Sequence, residues 1–397
     1  MQTQLSTALL ASPAGKRADA ILRSCVHCGF CNATCPTYLL TGDERDGPRG
    51  RIYLIKDMLE AERSPHVVRT HLDRCLTCRA CETTCPSGVA YGELAELARE
   101  RLESTSPRSF VQRIVRGWLV AVLPHPRRFR AWAWLGTWFR ALLPRRFAEA
   151  VPRPQPRRDW VESSGRRRVV LLEGCVQSVA TPEVNAALAR VLDRAGVAAM
   201  RIASEGCCGS LALHLGAADA ARRHVEANAR ALYAGAQGAE AILSTASGCG
   251  VTVKDYERLA AGGAAAEQAR WVAARTQDAS EYLLELPALP KSRAPRRVAV
   301  HSPCTLQHGQ RVRGTIERLI ERAGHTLVRV REAHLCCGSA GTYSVLESAL
   351  ADRLRANKVA ALTEERPDVI ATANVGCALH LAAASPVPVV HWIELLE

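Results

Sequence analysis

Eight cysteines near the N-terminus occur in two copies of one spacing, and this repeat limits the possible folds more than any other feature. Each copy reads C-x2-C-x2-C-x3-C-P, and the second copy begins fifty residues after the first. Zinc ribbons use C-x2-C pairs separated by longer loops, which leaves no role for the third and fourth cysteines of each copy. The cysteines are Cys25, Cys28, Cys31 and Cys35 in CVHCGFCNATCP, and Cys75, Cys78, Cys81 and Cys85 in CLTCRACETTCP.

The same spacing binds [4Fe–4S] clusters in bacterial ferredoxins, where the cysteine ahead of proline reaches the cluster of the other copy. We therefore predict two [4Fe–4S] clusters whose ligand sets are shared between the copies. Apolar residues at Ile52, Ile55 and Leu59, and the segment after Tyr91, predict helices, so residues 1–105 should form a mostly helical module. The predicted sets are Cys25, Cys28, Cys31 and Cys85 for one cluster, and Cys75, Cys78, Cys81 and Cys35 for the other.

The remaining eight cysteines belong to a long internal duplication. Counterparts lie 129, 129, 129 and 128 residues apart, and RRVVLLEGC and EGCCGS reappear as RRVAVHSPC and HLCCGS. A period of this length indicates two homologous domains, which we place at residues 169–290 and 296–397. The two sets are Cys175, Cys207, Cys208 and Cys249, followed by Cys304, Cys336, Cys337 and Cys377.

These cysteines follow apolar runs that alternate with Ala-rich helical stretches, which predicts α/β domains with parallel sheets. The predicted fold class is therefore multidomain α + α/β: a helical two-cluster module followed by two tandem α/β domains. Ligands of parallel sheets bind beyond the carboxyl ends of strands, so four sulfurs could converge in each domain. The alternative is buried structural cysteine, which is common. No histidine recurs in register beside both CCG elements, which argues against a catalytic Cys/His pair.

Residues 106–168 form a connector that holds nearly all the net charge. From Arg101 to Arg168 the chain has sixteen Arg and four acidic residues, which accounts for +12 of the total of +13. Five of the seven Trp also lie there. Interleaved Trp and Arg are typical of a membrane surface or a partner interface, and they favour these over nucleic acid. Packing of the Trp residues against the chain's own domains is the alternative.

The sequence shows no long apolar segment and no basic region before its first apolar patch, so we expect a cytoplasmic protein, peripheral at the inner face of the membrane. It also lacks a G-x-G-x-x-G motif that opens a helix after a strand. No flavin or nicotinamide site is therefore predicted in this chain, and no catalytic residue is assigned here.

Taken together, these features resemble the iron–sulfur subunits of glycolate oxidase, with anaerobic glycerol-3-phosphate dehydrogenase and heterodisulfide reductase subunits as near relatives. The resemblance covers essentially the whole chain. It is most specific in CVHCGFCNATCPTYLLTGDERDGPRGRIYLIK and HLDRCLTCRACETTCPSGVAYGEL. It implies an electron-transfer subunit that carries electrons from an FAD-containing partner, which oxidises glycolate to glyoxylate, to a membrane acceptor such as quinone.

The cysteine-rich domains depart from the fullest form of their motif, which ends in C-x-x-C. Ala246 and Asn374 replace the first cysteine of that pair, so each domain has four of five cysteines. A further metal or cluster, a quinone contact and a structural role all remain open for these eight residues. The alternatives for the whole chain are a subunit of a glycerol-3-phosphate or lactate dehydrogenase, and a heterodisulfide-reductase-like enzyme with these cysteines as its active site.

Overall fold

The N-terminal module is helical, as predicted. The structure is a computed structural model that describes residues 1–61, 64–142, 152–160, 167–287 and 291–397. Prolines occupy the first turns of several helices, where the missing N–H removes no hydrogen bond. The module contains α-helices Thr7–Leu10, Pro13–Ser24, Pro36–Thr41, Pro48–Ala61, Pro65–Asp73, Ala80–Thr84 and Tyr91–Thr105, and 3-10 turns Phe30–Thr34 and Glu44–Asp46.

The helices of this module bury one apolar face each around a single core. Leu22, Ile55 and Leu94 are fully enclosed in that core, and the cysteines Cys25 and Cys75 belong to it as well. The predicted apolar rhythm of Pro48–Ala61 is thus the buried side of an amphipathic helix. Because the core packs directly against the cysteine motifs, module folding and cysteine positioning depend on each other.

Two four-stranded parallel sheets follow, one in each repeat. The strands are β1 Arg167–Leu171, β2 Val197–Met200, β3 Ala241–Ser244, β4 Thr276–Asp278, β5 Arg297–His301, β6 Thr326–Leu327, β7 Val369–Thr372 and β8 Val389–His391. The strand order is β2-β1-β3-β4 in the first sheet and β6-β5-β7-β8 in the second, so the two sheets have the same topology. The central strands β1, β3, β5 and β7 are largely apolar and buried, because helices cover both faces of a parallel sheet.

Several helices between the strands also correspond between the repeats, but Tyr256–Leu259 and Ala266–Arg275 of the first repeat have no counterpart between β7 and β8. The first repeat contains Gln177–Ala180, Glu183–Arg194, Ser210–His214, Ala218–Gly235, Ser247–Lys254, Tyr256–Leu259, Ala266–Arg275 and Ala279–Leu284. The second contains Thr315–Arg322, Tyr343–Leu346, Ser348–Thr363 and Val375–Ala382, with a π-helical turn Thr305–Gln310 and a 3-10 segment Trp392–Leu396. The alternation of strands and helices confirms the predicted α/β class.

One hydrophobic core joins the two repeats. Helix Glu183–Arg194 packs on the segment Trp392–Leu396, and Ala279–Leu284 packs on Thr315–Arg322. Leu188 from the first repeat and Ile316 and Trp392 from the second are members of this same core. The two sheets are therefore held together by a layer of helices that neither repeat could complete alone.

The connector forms two helices, Phe110–Val122 and Pro126–Trp138, and a 3-10 turn Arg140–Leu142. Few of their apolar residues are buried, and Phe110 and Trp138 are 75% and 72% exposed. Farther along, Trp160 packs on the first repeat, where its Nε1 donates to the carbonyl of Ala199 (3.1 Å). Across the described residues, every helix is too short or too polar to traverse a membrane.

Candidate metal centres and the cavity between the repeats

The cysteines predicted for the first cluster line one pocket at the surface of the module. Cys25 is buried, Cys31 and Cys85 are half-buried, and Cys28 is exposed. Burial and the neighbouring thiol of Cys25 raise the pKa of Cys31 to about 11. Since metals bind the thiolate, iron would displace that proton.

Gly29 lets the first motif turn back on itself. Its φ is 88°, in the left-handed region, and a Cβ there would lie 2.5 Å from Nη1 of Arg49. The guanidinium of Arg49 therefore lies beside the pocket, held by Glu44 (Nε to Oε1, 2.6 Å). A side chain at position 29 would both strain the turn and displace this cation.

The cysteines predicted for the second cluster come together deeper in the protein. Cys35, Cys75 and Cys81 are buried, and Cys78 is half-buried. Burial raises the pKa of the Cys78 thiol, and Cys35 and Cys75 lie close enough for their charges to raise it further. The fourth cysteine of the first motif thus lies with the first three of the second motif, as the predicted ligand set requires.

Arg51 places a buried cation beside this second set. Its side chain is 1% exposed, and its Nη1 lies 3.9 Å from Sγ of Cys35 and 3.2 Å from the hydroxyl of Thr37. Burial opposes ionisation of Cys75, but the guanidinium groups of Arg51 and Arg99 lower the pKa of that thiol below its ordinary value. The site therefore favours thiolate, the form that binds iron.

Both ferredoxin sites fit the cluster type that their spacing predicts. Each predicted set takes its four sulfurs from two motifs, Cys81 of the second set also lines the first pocket, and no carboxylate lines that pocket. Thiolates are the ligands that [4Fe–4S] clusters use. The assignment of individual ligands stays a prediction, and the structure brings together the residues that it needs.

The four cysteines of the first repeat form a continuous row of sulfur contacts. Sγ of Cys175 lies 3.5 Å from Sγ of Cys207, and Cys208 contacts both Cys207 and Cys249. Those contacts, together with burial, raise the pKa of the Cys208 thiol well above its ordinary value.

The second repeat reproduces this row. Sγ of Cys304 lies 3.7 Å from Sγ of Cys336, Cys336 contacts Cys337, and Cys337 contacts Cys377. The glycine of each CCG element has a φ of 90°. In the second repeat a Cβ on Gly338 would meet the carbonyl oxygen of Ala351 at 2.8 Å, so the close packing of helix Ser348–Thr363 requires glycine there.

A cavity of about 650 Å³ lies between the two rows of sulfurs. Seven of the eight cysteines of the repeats line it, and Cys337 lies outside its lining. Leu76 and Thr77 of the second ferredoxin motif reach it, and both connector helices wall it with apolar side chains. These wall residues are Trp118, Leu119, Leu123, Phe129, Trp132, Leu135 and Phe139.

Comparisons with known proteins cover each part of this arrangement. The family "4Fe-4S dicluster domain" matches residues 21–89, and the family "Cysteine-rich domain" (CCG) matches residues 169–254 and 298–382. The glycolate oxidase iron–sulfur subunit of Escherichia coli is 46% identical over the whole chain and 98% of its own length. The chain belongs to the family of glycolate oxidase iron–sulfur subunits.

Two more distant relatives and one solved structure extend the comparison. A probable glycolate oxidase iron–sulfur subunit of Bacillus subtilis is 30% identical over 94% of this chain and 93% of its own length. Lactate utilization protein A of Geobacillus kaustophilus is 25% identical over 58% of the chain and 98% of its own length. A hypothetical protein from Helicobacter pylori has the same fold (TM-score 0.57, 9% identity, 96% of this chain and 71% of that one).

The two positions at which this chain lacks the fifth cysteine of the fullest motif differ in structure. Asn374 caps helix Val375–Ala382, because its Oδ1 accepts from the backbone N–H groups of Gly376 (2.9 Å) and Cys377 (3.4 Å). Ala246 begins helix Ser247–Lys254 without such a cap. Both residues line the cavity.

Sequence reasoning missed three buried polar residues beside the sulfurs: Arg51, His301 and Lys358. Arg51 belongs to a helix whose charged residues match the pattern of a solvent-exposed face, so no sequence pattern indicated that it is buried. His301 and Lys358 left a weak one, because the residues 129 positions earlier are Leu172 and Ala229. An alignment of the two repeats, searched for positions where a polar residue replaces an apolar one, would have identified His301 and Lys358.

Proposed function

We propose that this chain is the electron-transfer subunit of a flavin-dependent glycolate dehydrogenase complex. In this proposal an FAD-containing partner oxidises glycolate to glyoxylate, and this chain passes the electrons to a quinone at the membrane. The support for glycolate is the similarity to the glycolate oxidase subunits of Escherichia coli and Bacillus subtilis. When bound, [4Fe–4S] clusters accept and release one electron at a time.

The observation that carries the proposal is the contact between the second ferredoxin motif and the second repeat. Cys78 and Leu76 pack in one cluster with Cys304 and Cys336. Across the same boundary, the hydroxyl of Thr83 lies 2.8 Å from Nδ1 of His308. A site for single electrons therefore lies directly beside the cavity, which is where an acceptor would have to bind.

The first ferredoxin site supplies the opposite end of the path. Cys28 is exposed, and the flanking side chains of Val26 and Phe30 are 67% and 64% exposed. Exposed apolar residues around an exposed ligand are suited to a partner protein that must come close to transfer electrons. We assign this face to the flavoprotein.

The cavity and the connector support a lipophilic acceptor. The cavity walls are aromatic and aliphatic on one side and carry thiols on the other, which suits an apolar ring with polar oxygens. On the outside of the connector helix Pro126–Trp138, Trp134 and Trp138 are exposed and their rings lie 5.2 Å apart. Exposed Trp beside Arg is typical of membrane interfaces, so we assign this face to the lipid surface.

Iron and sulfide analysis with EPR on anaerobically purified protein tests the cluster part of the proposal. We expect at least eight irons per chain and signals of reduced [4Fe–4S] clusters. A colourless protein, or fewer than eight irons after reconstitution, would contradict it.

The substrate is tested by the flavoprotein that co-purifies with the full chain from native extract. Reduction of the EPR-active centres by glycolate in that complex, but not by lactate or glycerol 3-phosphate, is the expected result. Reduction by lactate or glycerol 3-phosphate alone would assign the chain to one of the other dehydrogenases.

The membrane contact is tested by replacing Phe110, Trp134 and Trp138 with Ser and measuring sedimentation with anionic lipid vesicles. We expect binding to fall at least tenfold. A matched control replaces Tyr233, an exposed aromatic residue of the first repeat, with Ser and should bind like the wild type. Equal binding of the triple variant and the control would remove the membrane assignment.

A further inference from the structure

The row of sulfurs in the second repeat has a neighbour that the first repeat lacks. One ring nitrogen of His301 and the Sγ atoms of Cys337 and Cys377 all lie within 4.8 Å of one another. All three side chains are buried, and His301 is 2% exposed. His301 is the last residue of β5, so its side chain sits at the carboxyl end of a central strand, where ligands of such sheets bind.

The two ring nitrogens of His301 have different surroundings. Nδ1 lies 2.9 Å from the hydroxyl of Thr372, the last residue of the neighbouring strand β7. Nε2 is buried and has no hydrogen-bond partner among the residues that the structure describes. A buried polar atom without a partner destabilises the folded protein unless a ligand satisfies it. Histidines that bind metals characteristically use one nitrogen for the metal and hold the other by a hydrogen bond.

The first repeat provides an internal comparison. The residue 129 positions before His301 is Leu172, which is buried in an apolar cluster. A histidine in the same place of the duplicated fold therefore replaces an ordinary core residue, and packing alone does not require it.

A buried cation accompanies the histidine. Lys358 is 4% exposed, and its Nζ donates to the carbonyl of Glu332 (2.8 Å). Burial lowers the pKa of Lys358, while the thiols of Cys337 and Cys336 act in the opposite direction. Its counterpart in the first repeat is Ala229, so this position offers a lysine beside the sulfurs in the second repeat but not in the first.

We propose that the second repeat holds a metal centre in which Nε2 of His301 is a ligand beside the thiolates of Cys337 and Cys377. Mixed thiolate and imidazole ligation suits iron and zinc. The first repeat, which has Leu172 in this place, would offer thiolates alone. The two repeats would then differ in their centres, and an imidazole ligand raises the potential of an iron centre relative to thiolate alone.

The test measures iron and zinc per chain in the full-length protein purified anaerobically. The variants are H301L, which installs the residue of the first repeat, and H301C, which offers a thiolate instead. A reference variant, C337S with C377S, defines complete loss of the centre. The matched control is H325L, because His325 is a buried histidine of the same repeat whose nitrogens both have partners, the N–H of Arg296 and the carbonyl of Leu395.

We expect H301L to lose the same metal as the double cysteine variant, H301C to regain it, and H325L to keep it. Metal content in H301L equal to the wild type would overturn the proposal. So would failure of H301C to regain the metal, or an equal loss in H325L, because either result assigns His301 a structural role. Iron bound by the eight N-terminal cysteines is the same in all variants and provides the internal standard.

Thr372 is the positioning residue in this arrangement. T372V would leave the three ligands in place but release Nδ1, and we expect metal loss to a chelator to become about 10-fold faster. T372S restores the hydroxyl and should restore slow release. If T372V and the wild type lose metal at the same rate, Nδ1 is not held in the way proposed.

Discussion

The two cysteine-rich repeats end their fourth strands in the same backbone arrangement but place different chemistry there. Asp278 ends β4 and His391 ends β8, and each caps the segment that follows through a reciprocal pair with a glutamate three residues later. The backbone N–H of Asp278 donates to Glu281 (2.8 Å), and that of His391 donates to Glu394 (2.8 Å). Both cap residues are buried.

The difference shows what a duplicated fold preserves. The cap satisfies backbone N–H groups that would otherwise lack partners, and either a carboxylate or an imidazole nitrogen can accept those bonds. The geometry is therefore retained while the titrating group changes from an acid to a base. Around the sulfurs, likewise, Leu172 and Ala229 of the first repeat correspond to His301 and Lys358 of the second.

Loss of Trp392 should produce the largest difference in stability between a substitution in the second repeat and one in the first. It is fully buried in the core that they share, whereas Ala279 takes the corresponding place after β4. We expect W392A to lower the free energy of unfolding by about 3–5 kcal/mol, because the cavity cannot collapse between two sheets. Urea unfolding followed by fluorescence and circular dichroism measures this. W271A, which truncates a half-buried Trp of the first repeat, is the control and should cost clearly less.

Asp278 should make the first repeat less stable as the pH rises. Burial raises the pKa of its carboxyl to about 6, and one of its oxygens has no partner among the described residues. The unfolded chain ionises near the ordinary value while the folded chain does not, so stability falls from about pH 4 to about pH 6, by up to about 3 kcal/mol. D278N should flatten that fall in urea unfolding at several pH values. An unchanged pH profile would show that Asp278 titrates normally.

His391 should have the opposite effect in the second repeat. Burial lowers the pKa of its imidazole to about 4, although its Nε2 lies 2.9 Å from the carbonyl of Thr245. The unfolded chain gains a proton near the ordinary value and the folded chain resists it, so stability falls on acidification from about pH 6.5 to about pH 4. H391N keeps an acceptor at the cap and should remove this loss. If acid still destabilises H391N as much as the wild type, other groups are responsible.

Asn374 should give the smallest difference. Because its side chain caps helix Val375–Ala382, N374A should cost about 1 kcal/mol. The equivalent helix of the first repeat, Ser247–Lys254, has Ala246 at its N-cap and no side-chain cap. A246N should therefore gain a similar amount of stability at most. Thermal melting of both variants measures the pair. If A246N loses as much stability as N374A, the cavity wall has no room at position 246 for a side chain larger than alanine.

Local patterns in the sequence predicted the fold class well. Two-residue gaps between cysteines, the apolar rhythm at Ile52 and Ile55, and the alternation of strands with Ala-rich helices each depend on neighbours in the chain. The duplication of RRVVLLEGC as RRVAVHSPC also gave the equivalence of the repeats, and the two sheets share one strand order.

Contacts between distant segments could not be predicted in this way. Nothing in the two motifs places Cys78 beside Cys304, because that contact depends on how the module docks on the second repeat. The connector helices wall the cavity on one side and are exposed on the other, so partner contact and packing on the chain's own domains were not exclusive alternatives. His301 escaped notice because a histidine in one copy only looks like an ordinary substitution.

The core that the repeats share has a consequence for how such a protein can be divided. Helices Glu183–Arg194 and Thr315–Arg322 each carry apolar side chains in the core that the repeats share, and each packs on a segment of the other half. A fragment that ends between the repeats would leave this surface open to water and would be expected to aggregate or to pair with a second copy of itself. We therefore expect the duplicated halves to unfold as one unit, as the two subunits of a homodimer do when they share a single core.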